Sequence, residues 1–336
     1  MTDRTETFVV VNYNAARARV AWTQIERVLR ERGVRFRAHE AKEAGDAQHA
    51  AREALRAGYG TIAVVGGDGT LGEVVSGFFA RETGGVHTTQ ATTTTTPARI
   101  NDEAALAILP AGTGNDFARG LEGGRASLER WLERLVEHSL RGDGERTTRA
   151  VDVLHGSIGE EDARQTFFCL NAATLGIGAE VAGRVAAQGD AVRRLPGEAR
   201  FALAAIKSLA SWRRRRVRIR LDDAEAFECE TNLVAVANSP FAGGGMMFSP
   251  GARVDDGLLD VVTASRLTRA SLIREMTRIH SGGHVKNPHV SIARAVRVRI
   301  EHLTDGDALA VEADGDVRGH TPLEFRVLAG ALRVVV

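Results

Sequence analysis

Residues Val64-Val65-Gly66-Gly67-Asp68-Gly69-Thr70-Leu71-Gly72-Glu73 constrain the fold of this chain more than any other run. The apolar stretch Thr61 to Val65 reads as a buried strand. It breaks at the glycines and the aspartate, and a helical pattern resumes through Leu71, Val74, Val75 and Phe78. A strand, a tight turn and a helix N-terminus in that order can hold phosphate. Glycines let backbone N–H groups approach an anion, and the helix start adds unsatisfied donors and a positive dipole end. Asp68 is the odd element. An acid beside a phosphate cradle repels it unless Mg²⁺ or a substrate proton lies between them. Taken alone, the run reads equally well as a plain turn.

A second run of the same kind shifts that balance. Ala104 to Leu109 is another apolar strand, followed by Pro110-Ala111-Gly112-Thr113-Gly114-Asn115-Asp116-Phe117-Ala118-Arg119. A glycine-rich turn again opens a helix, with Asn115 or Asp116 as the candidate N-cap. In open α/β sheets the loops at the carboxyl ends of the strands line the ligand crevice, so two such loops can face one nucleotide. The only lysines are Lys42, Lys207 and Lys286, none of them in either loop. That excludes a Walker-type loop and a protein-kinase strand lysine. Phosphate charge is left to backbone donors, Mg²⁺ and arginine.

At 336 residues the chain fits two domains. Before about residue 148, strands and helices alternate: strand Phe8 to Asn12, helix Ala15 to Arg32, strand Val34 to Ala38, helix Ala47 to Ala57, then the two glycine motifs. Alternation predicts a parallel, Rossmann-like sheet in an α/β N-terminal domain over 1–147. An insertion at 83–99 with the threonine run Thr92 to Thr96 reads as a flexible surface loop. From 148 to 327 short strands dominate, predicting a β-sandwich-like C-terminal domain. They cover Ala150 to Leu154, Gln165 to Asn171, Arg216 to Leu221, Thr231 to Ala237, Leu259 to Ala264 and Val296 to Glu301. Helices are expected near Ala179 to Ala187, near Gly197 to Trp212 with Phe201, Ala205, Leu209 and Trp212 on one face, and over Thr268 to His280.

With 44 basic against 43 acidic residues, no global field draws the chain to nucleic acid. No signal peptide is evident, no run approaches the ~20 apolar residues of a membrane span, and Cys169 and Cys229 read as buried, unpaired thiols. A cytoplasmic protein is expected. The ten histidines form no metal-ligand spacing. Trp212 to Arg220 is the strongest basic patch; its alternation predicts a strand with arginines on the solvated face, the competing reading being a surface for anionic lipid headgroups. Asp314-Gly315-Asp316 reads by itself as a hairpin turn, since Asp-Gly is a strong turn signal. Arg253-Val254-Asp255-Asp256-Gly257-Leu258-Leu259-Asp260 is either a turn or a set of carboxylates and carbonyls for a hard cation such as Mg²⁺.

Together these motifs resemble the diacylglycerol kinase catalytic-domain superfamily, which includes bacterial soluble lipid kinases and sphingosine kinases. The resemblance spans nearly the whole chain. It rests on Gly66 to Thr70, Pro110 to Arg119, Leu175-Gly176-Ile177-Gly178-Ala179, Gly243-Gly244-Gly245-Met246 through Ser249-Pro250 to Asp260, and Asp314-Gly315-Asp316. The Gly-Gly-Asp-Gly motif is shared with NAD kinases; the second loop and the C-terminal acidic motif point to the lipid-kinase branch. The resemblance implies that a last strand, 328–336, returns to the first domain, and that ATP with Mg²⁺ is bound by Asn12, Gly66, Gly67, Asp68, Gly69, Thr70, Leu71, Gly72, Glu73, Thr113, Asn115 and Asp116. It makes Asp316 the general base beside Asp314, with Asp68 as Mg²⁺-linked acid or alternate base. It points to Asp256, with backbone oxygens of Arg253 and Leu258, as a Mg²⁺ site, structural or catalytic. The family has Asn-Pro at the first corner, where this chain has Asn12-Tyr13-Asn14; Ala41 stands where many members have threonine; and Asp316 replaces a glutamate one methylene longer.

The expected function is transfer of the γ-phosphate of ATP to a hydroxyl of diacylglycerol or a related lipid, met at the membrane surface by peripheral contact and entering a cleft between the domains. Two alternatives stand: an NAD kinase-like enzyme with a soluble acceptor, and a non-catalytic nucleotide- or lipid-binding regulator. A homodimer is left open.

Overall fold

The computed structural model describes residues 6–80, 96–141, 147–159, 164–189, 192 and 197–336. Most of the expected insertion, including Thr92 to Thr95, lies outside the described residues, as does the side chain of Phe201. The chain divides into two compact units. The first comprises Met1–Ala118, Gly124–Val151 and Gly330–Val336; the second comprises Arg119–Gly123 and Asp152–Ala329.

The first unit alternates as its sequence requires: β1 (Thr7–Asn12), α1 (Ala16–Glu31), β2 (Phe36–Ala41), α2 (Asp46–Arg56), β3 (Thr61–Gly66), α3 (Asp68–Phe78), β4 (Ala105–Pro110), α4 (Asp116–Glu122, of which Arg119 onward belongs to the second unit) and α5 (Leu128–Leu140). The strands pair in parallel in the order β2-β1-β3-β4. Every residue of β3 and β4 is buried, the continuous apolar run of a sheet covered on both faces. Helix α1 turns Ala18, Trp22, Ile25 and Leu29 inward at helical spacing. Helices α2 and α3 approach closely because Gly77 has no side chain; a Cβ there would stand 2.7 Å from the Gln48 carbonyl oxygen. Helix α5 was not expected. Its start is marked by Ser127, whose hydroxyl accepts from the Arg130 amide, and its inward face carries Trp131, Leu132 and Leu135.

The strand order places a topological switch point between β1 and β3: the chain leaves β1 toward β2, then returns across it to β3. Ligands of doubly wound sheets bind at such a point, outside the carboxyl ends of the strands. Asn12 ends β1 and Gly66 ends β3.

The second unit is antiparallel. It contains β5 (Thr148–Ile158, begun in the first unit), β6 (Gln165–Cys169), β7 (Ala172–Gly176), α6 (Ile177–Ala186), α7 (Gly197–Ser211), β8 (Arg215–Leu221), β9 (Phe227–Ala237), β10 (Phe241–Ala242), β11 (Met246–Met247), β12 (Leu259–Ser265), α8 (Arg269–Arg278), β13 (Val290–Ala295), β14 (Arg297–His302), β15 (Ala310–Ala313), β16 (Asp316–His320) and β17 (Leu323–Val335). Strand β9 changes partners along its length. Leu233–Ala237 lie between β7 and β12, whereas Phe227–Thr231 pair with β8. A strand that switches neighbours in this way makes the corner of a sandwich. Between the two segments the side chain of buried Asn232 turns aside, its Oδ1 accepting from the Leu267 amide at 2.9 Å.

Strand β17 pairs with β14 in antiparallel fashion through Leu323–Arg326, and its end returns to the first unit, where Arg333 and Val334 pair in parallel with Ala105 and Leu106 of β4. Strands β7 and β13 were not expected. The first reads as a small-residue motif. In the second only Ala295 is buried, so the strand has no apolar signature of its own. Among the described residues no helix is long and apolar enough to cross a membrane.

Candidate active site

In the first unit the two glycine loops touch. A Cβ on Gly112 would stand 2.4 Å from the Gly67 Cα, and one on Gly67 would stand 3.1 Å from the Gly112 Cα. These glycines therefore serve close backbone approach, not positive φ. Gly66 is needed for a different contact: its Cβ would fall 2.8 Å from the Thr70 Cβ. Thr70, buried in the first turn of α3, accepts a 2.8 Å hydrogen bond from Asn12 Nδ2, which ties β1 to the loop after β3 at the switch point. The other end of the Asn12 side chain accepts from the Asn14 and Ala15 amides. The corner that lacks the family proline is thus closed by a side-chain turn.

The cap of α4 differs from expectation. Asn115, at φ +51°, precedes the helix but bonds backward: its Oδ1 accepts from the Gly112 amide at 2.9 Å and its Nδ2 donates to the Gly112 carbonyl at 3.2 Å. The forward acceptor comes from the other loop, where Asp68 Oδ1 accepts from the Phe117 amide at 3.2 Å. Asp116 opens the helix and is buried. Gly69, Leu71 and Gly72 form the first turns of α3, with the Leu71 amide donating to the Gly67 carbonyl at 3.0 Å. Glu73 is turned away to the loop before α2, where its Oε2 accepts from the Gly45 amide. Thr113 accepts from Arg17 Nη1 at 3.4 Å, which brings a cation from α1 to a loop that has no lysine of its own.

In the second unit Asp314-Gly315 forms the turn between β15 and β16, both residues at positive φ (+50° and +96°) as a two-residue type I′ hairpin demands. Asp314 does more than turn the chain. Its carboxylate accepts from the Leu170 amide at 2.8 Å and the Asn171 amide at 3.1 Å, fixing the hairpin to the segment between β6 and β7. Asp316 is exposed, with its carboxylate 3.2 Å from Arg318 Nη2.

The residue that sequence reasoning missed here is Glu312. It is buried, paired across the sheet with Thr174, and its Oε2 accepts from the Thr174 hydroxyl at 2.6 Å while its Oε1 accepts from the Gly315 amide. Burial pushes its carboxyl up to about 7, with the negative charges of Asp314 and Asp316 adding to the effect. Glu312 and Thr174 line a cavity of about 610 Å³ within the second unit. The walls include Ile177 and Val181 from α6, Leu233, Met246, Phe248 and Met276. Among the described residues, every lining residue apart from Thr174, Arg200 and Glu312 is apolar or glycine.

The turn from Arg253 to Leu258 is held by a second buried carboxylate that the sequence did not reveal. Asp152 Oδ2 accepts from the Gly257 amide at 2.7 Å, and the Asp152 amide donates to the Val254 carbonyl. Asp256 Oδ1 accepts from the Leu258 amide at 3.1 Å. Among the described residues no cluster of three or more His, Cys, Asp or Glu is built to hold a metal. A cation at this turn would draw on one carboxylate and backbone carbonyls, the oxygen set Mg²⁺ accepts when water completes its shell. Asp260, at the end of the motif, is taken up by Ser249 at 2.6 Å and Arg294 at 3.1 Å. The arginines of β8 alternate outward as expected, and Arg214, Arg216 and Arg218 are ion-paired with Glu228 or Glu230 of β9.

Two glycine loops at the switch point of a doubly wound sheet, joined in one chain to an antiparallel sandwich, define a class of kinase, and comparison with known proteins places the chain within it. Residues 6–143 match the diacylglycerol kinase catalytic domain, and residues 174–336 match the YegS C-terminal NAD kinase beta sandwich-like domain. A Pseudomonas aeruginosa protein named "Probable lipid kinase YegS-like" is 32% identical over 305 residues, covering 91% of this chain and 86% of that one. The diacylglycerol kinase of Bacillus subtilis is 26% identical over 313 residues, 93% of this chain and 89% of its own. A crystal structure of a diacylglycerol kinase from Bacillus anthracis shares the fold, with a TM-score of 0.66 at 20% identity over 100% of this chain and 98% of that one. The chain belongs to the diacylglycerol kinase catalytic-domain superfamily, among its YegS-like lipid kinases.

Proposed function

We propose that this protein transfers the γ-phosphate of ATP to a hydroxyl of diacylglycerol or a related lipid. The observation that carries the reading toward a lipid is the cavity of about 610 Å³ in the second unit, whose lining among the described residues is apolar but for Thr174, Arg200 and Glu312. A soluble nucleotide acceptor would require polar partners for its base, sugar and phosphates, and this lining offers few. The names of the relatives point the same way.

On this reading the backbone amides from Gly66 to Gly72, with Thr113, Asn115 and Asp116, cradle the phosphates, and Arg17 supplies charge from α1. Asp68 keeps the two loops at a fixed separation through the Phe117 amide. Asp316, on the solvent side of its turn, accepts the proton of the attacking hydroxyl, and Asp314 holds that turn in place through two backbone amides. Asp256, with the carbonyls of Arg253 and Leu258, holds Mg²⁺. Bound there, Mg²⁺ would screen the acidic surroundings of the turn and fix its shape. The residues 148–327 form the lipid-binding part, and the enzyme meets its acceptor at the membrane surface.

The test uses γ-labelled ATP, Mg²⁺ and vesicles of total lipid extract, with wild type and Asp316→Asn side by side. Label is expected in the organic phase with wild type, and a loss of about 10²–10⁴-fold with the variant. Equal labelling by both moves the base elsewhere, with Asp68 the next candidate. ATP binding without labelled lipid overturns the lipid-kinase reading and sends the search to NAD and other soluble acceptors.

A further inference from the structure

Glu312 is the one carboxyl of its hairpin that opens into the cavity. Asp314 is committed to two backbone amides, and Asp316 is exposed beside Arg318. Both oxygens of Glu312 accept hydrogen bonds, one from the Thr174 hydroxyl and one from the Gly315 amide. While Glu312 is ionised, the Thr174 hydrogen is therefore directed at it and away from the cavity. If Glu312 gains a proton on Oε2, the 2.6 Å bond reverses: the carboxylic O–H donates to Thr174 Oγ1, and the hydroxyl hydrogen of Thr174 is released to the cavity. A chain that fills the cavity also removes the water that solvates the charge, which favours the neutral acid.

The charges of its own turn agree. Asp314 and Asp316 lie on its own turn and repel a negative charge. The Cys169 thiol of β6 is pushed up by burial and by the neighbouring acids. Among the described residues Arg200 of α7 is the single cation of the lining, its Nε engaged with Gln188 Oε1 at 2.9 Å. Helix α6, packed on β15 and β16, carries Glu180 and Arg184. With Arg200 already in the wall, a lipid amine entering the cavity would meet a like charge.

We propose that the Glu312–Thr174 pair is the specificity-determining element of the acceptor pocket: the neutral pair donates one hydrogen bond to an oxygen of an uncharged acylglycerol, and the pocket takes up a proton as the lipid fills it. The proposal rests on the lipid-acceptor reading above. It deepens that reading by naming the protonation state and the polar group that select the lipid.

The experiment titrates full-length protein with 1,2-dioctanoylglycerol in detergent micelles, without nucleotide, by calorimetry in two buffers of different ionisation enthalpy. Near pH 7 wild type is expected to take up a fraction of a proton per lipid bound, and affinity is expected to fall about tenfold from pH 6 to pH 8. Glu312→Gln, which keeps the shape and can bond both partners, is expected to show no uptake and an affinity that varies by less than about twofold over the same range. Thr174→Val is expected to bind about tenfold more weakly near pH 7, as a lost hydrogen bond predicts. Dodecylamine is expected to bind more weakly than dioctanoylglycerol. Absence of dioctanoylglycerol binding, binding by wild type without proton uptake, or a pH-independent affinity overturns the proposal. So does release of a proton. The wild-type titration stands without either variant, so a variant that misfolds does not remove the test. Proton-linked binding without any labelled lipid in the kinase assay would sustain the pocket assignment and defeat the kinase reading alone.

Discussion

The two units arrange their polar groups by opposite means. In the first, the site is built from backbones brought together by missing side chains: Gly67 lies against Gly112, Gly66 lies against Thr70, and the side chains of Asp68 and Asn12 stitch the loops. In the second, the groups of interest are side chains: Asp314 held by two amides, and Asp152 under the Gly257 turn and Glu312 at the wall of an apolar cavity, both buried. A site made of backbone approach tolerates no added atoms and is insensitive to pH. A site made of buried carboxyls tolerates isosteric change and titrates. The comparison teaches where each unit can be broken.

The sharpest break is Gly112→Ala. One added carbon would sit 2.4 Å from the Gly67 Cα and 2.8 Å from Asn115 Oδ1, and both neighbours are fixed. The loops must separate, which is expected to cost about 3 kcal/mol or more of stability and at least about a hundredfold in phosphoryl transfer, because misplacing a cradle by ~1 Å has that effect. Chemical denaturation and the labelled-ATP assay measure both. A variant with native activity would mean that the contact between the loops is not what holds the phosphates. Ala substitution at Gly69, where nothing lies within 4 Å of the new carbon, is the control expected to fold normally.

The second break is one of pH, and it belongs to the second unit. The carboxyl of Glu312 is raised to about 7, and burial with the nearby Arg326 charge holds the His155 imidazole down at about 4. For Glu312 the folded value lies above the unfolded one, so its contribution to stability is full below about pH 4.5 and is lost as pH rises through about 7. For His155 the folded value lies below the unfolded one, so its contribution is full above about pH 6.5 and is lost as pH falls through about 4. Each shift corresponds to about 3 kcal/mol across its window. Between about pH 4.5 and 6.5 the slopes oppose and largely cancel in the wild type. Glu312→Gln is expected to expose the histidine slope, with stability rising as pH rises; His155→Phe, which keeps the ring against Phe168, is expected to expose the opposite slope. Denaturation midpoints recorded from pH 4 to 8 decide this. Parallel profiles for wild type and both variants would show that neither group titrates across folding.

What the sequence makes legible follows the same division. Apart from α5, the first unit's strands, helices and glycine loops can be read directly, because a backbone site announces itself as glycine between an apolar strand and a helix. The return of β17 to β4 was implied by family resemblance and is present, through Arg333 and Val334. Glu312 and Asp152 could not be read. Their partners, Thr174 and Gly257, stand 138 and 105 residues away, and only the antiparallel register and the turn bring them together. An isolated Glu in a strand pattern carries no signal of burial. The same distance hides the Asp68 cap: local reasoning assigns the cap of α4 to its own Asn115 or Asp116, and the acceptor comes from 49 residues upstream.

That cap supplies the finest test of the comparison, since Asp68 is a charged side chain that ties the two backbone loops. Its two roles, holding the Phe117 amide and contributing charge to phosphate chemistry, separate under two substitutions. Asp68→Asn retains an oxygen that can accept from the amide, whereas Asp68→Ala removes it. If Asp68 is mainly a tie, the alanine variant is expected to lose about 1–2 kcal/mol of stability, the usual value of a lost helix cap, and the asparagine variant a few tenths, with kinase activity following stability. If its charge takes part in the transfer, both variants are expected to lose activity alike while only the alanine variant loses stability. The first outcome places Asp68 with Asn12 and Thr70 in the scaffold of the first unit, which then handles phosphate with backbone donors and Arg17. The second restores an acid to that unit's chemistry and blurs the division between a site of backbones and a site of titrating side chains.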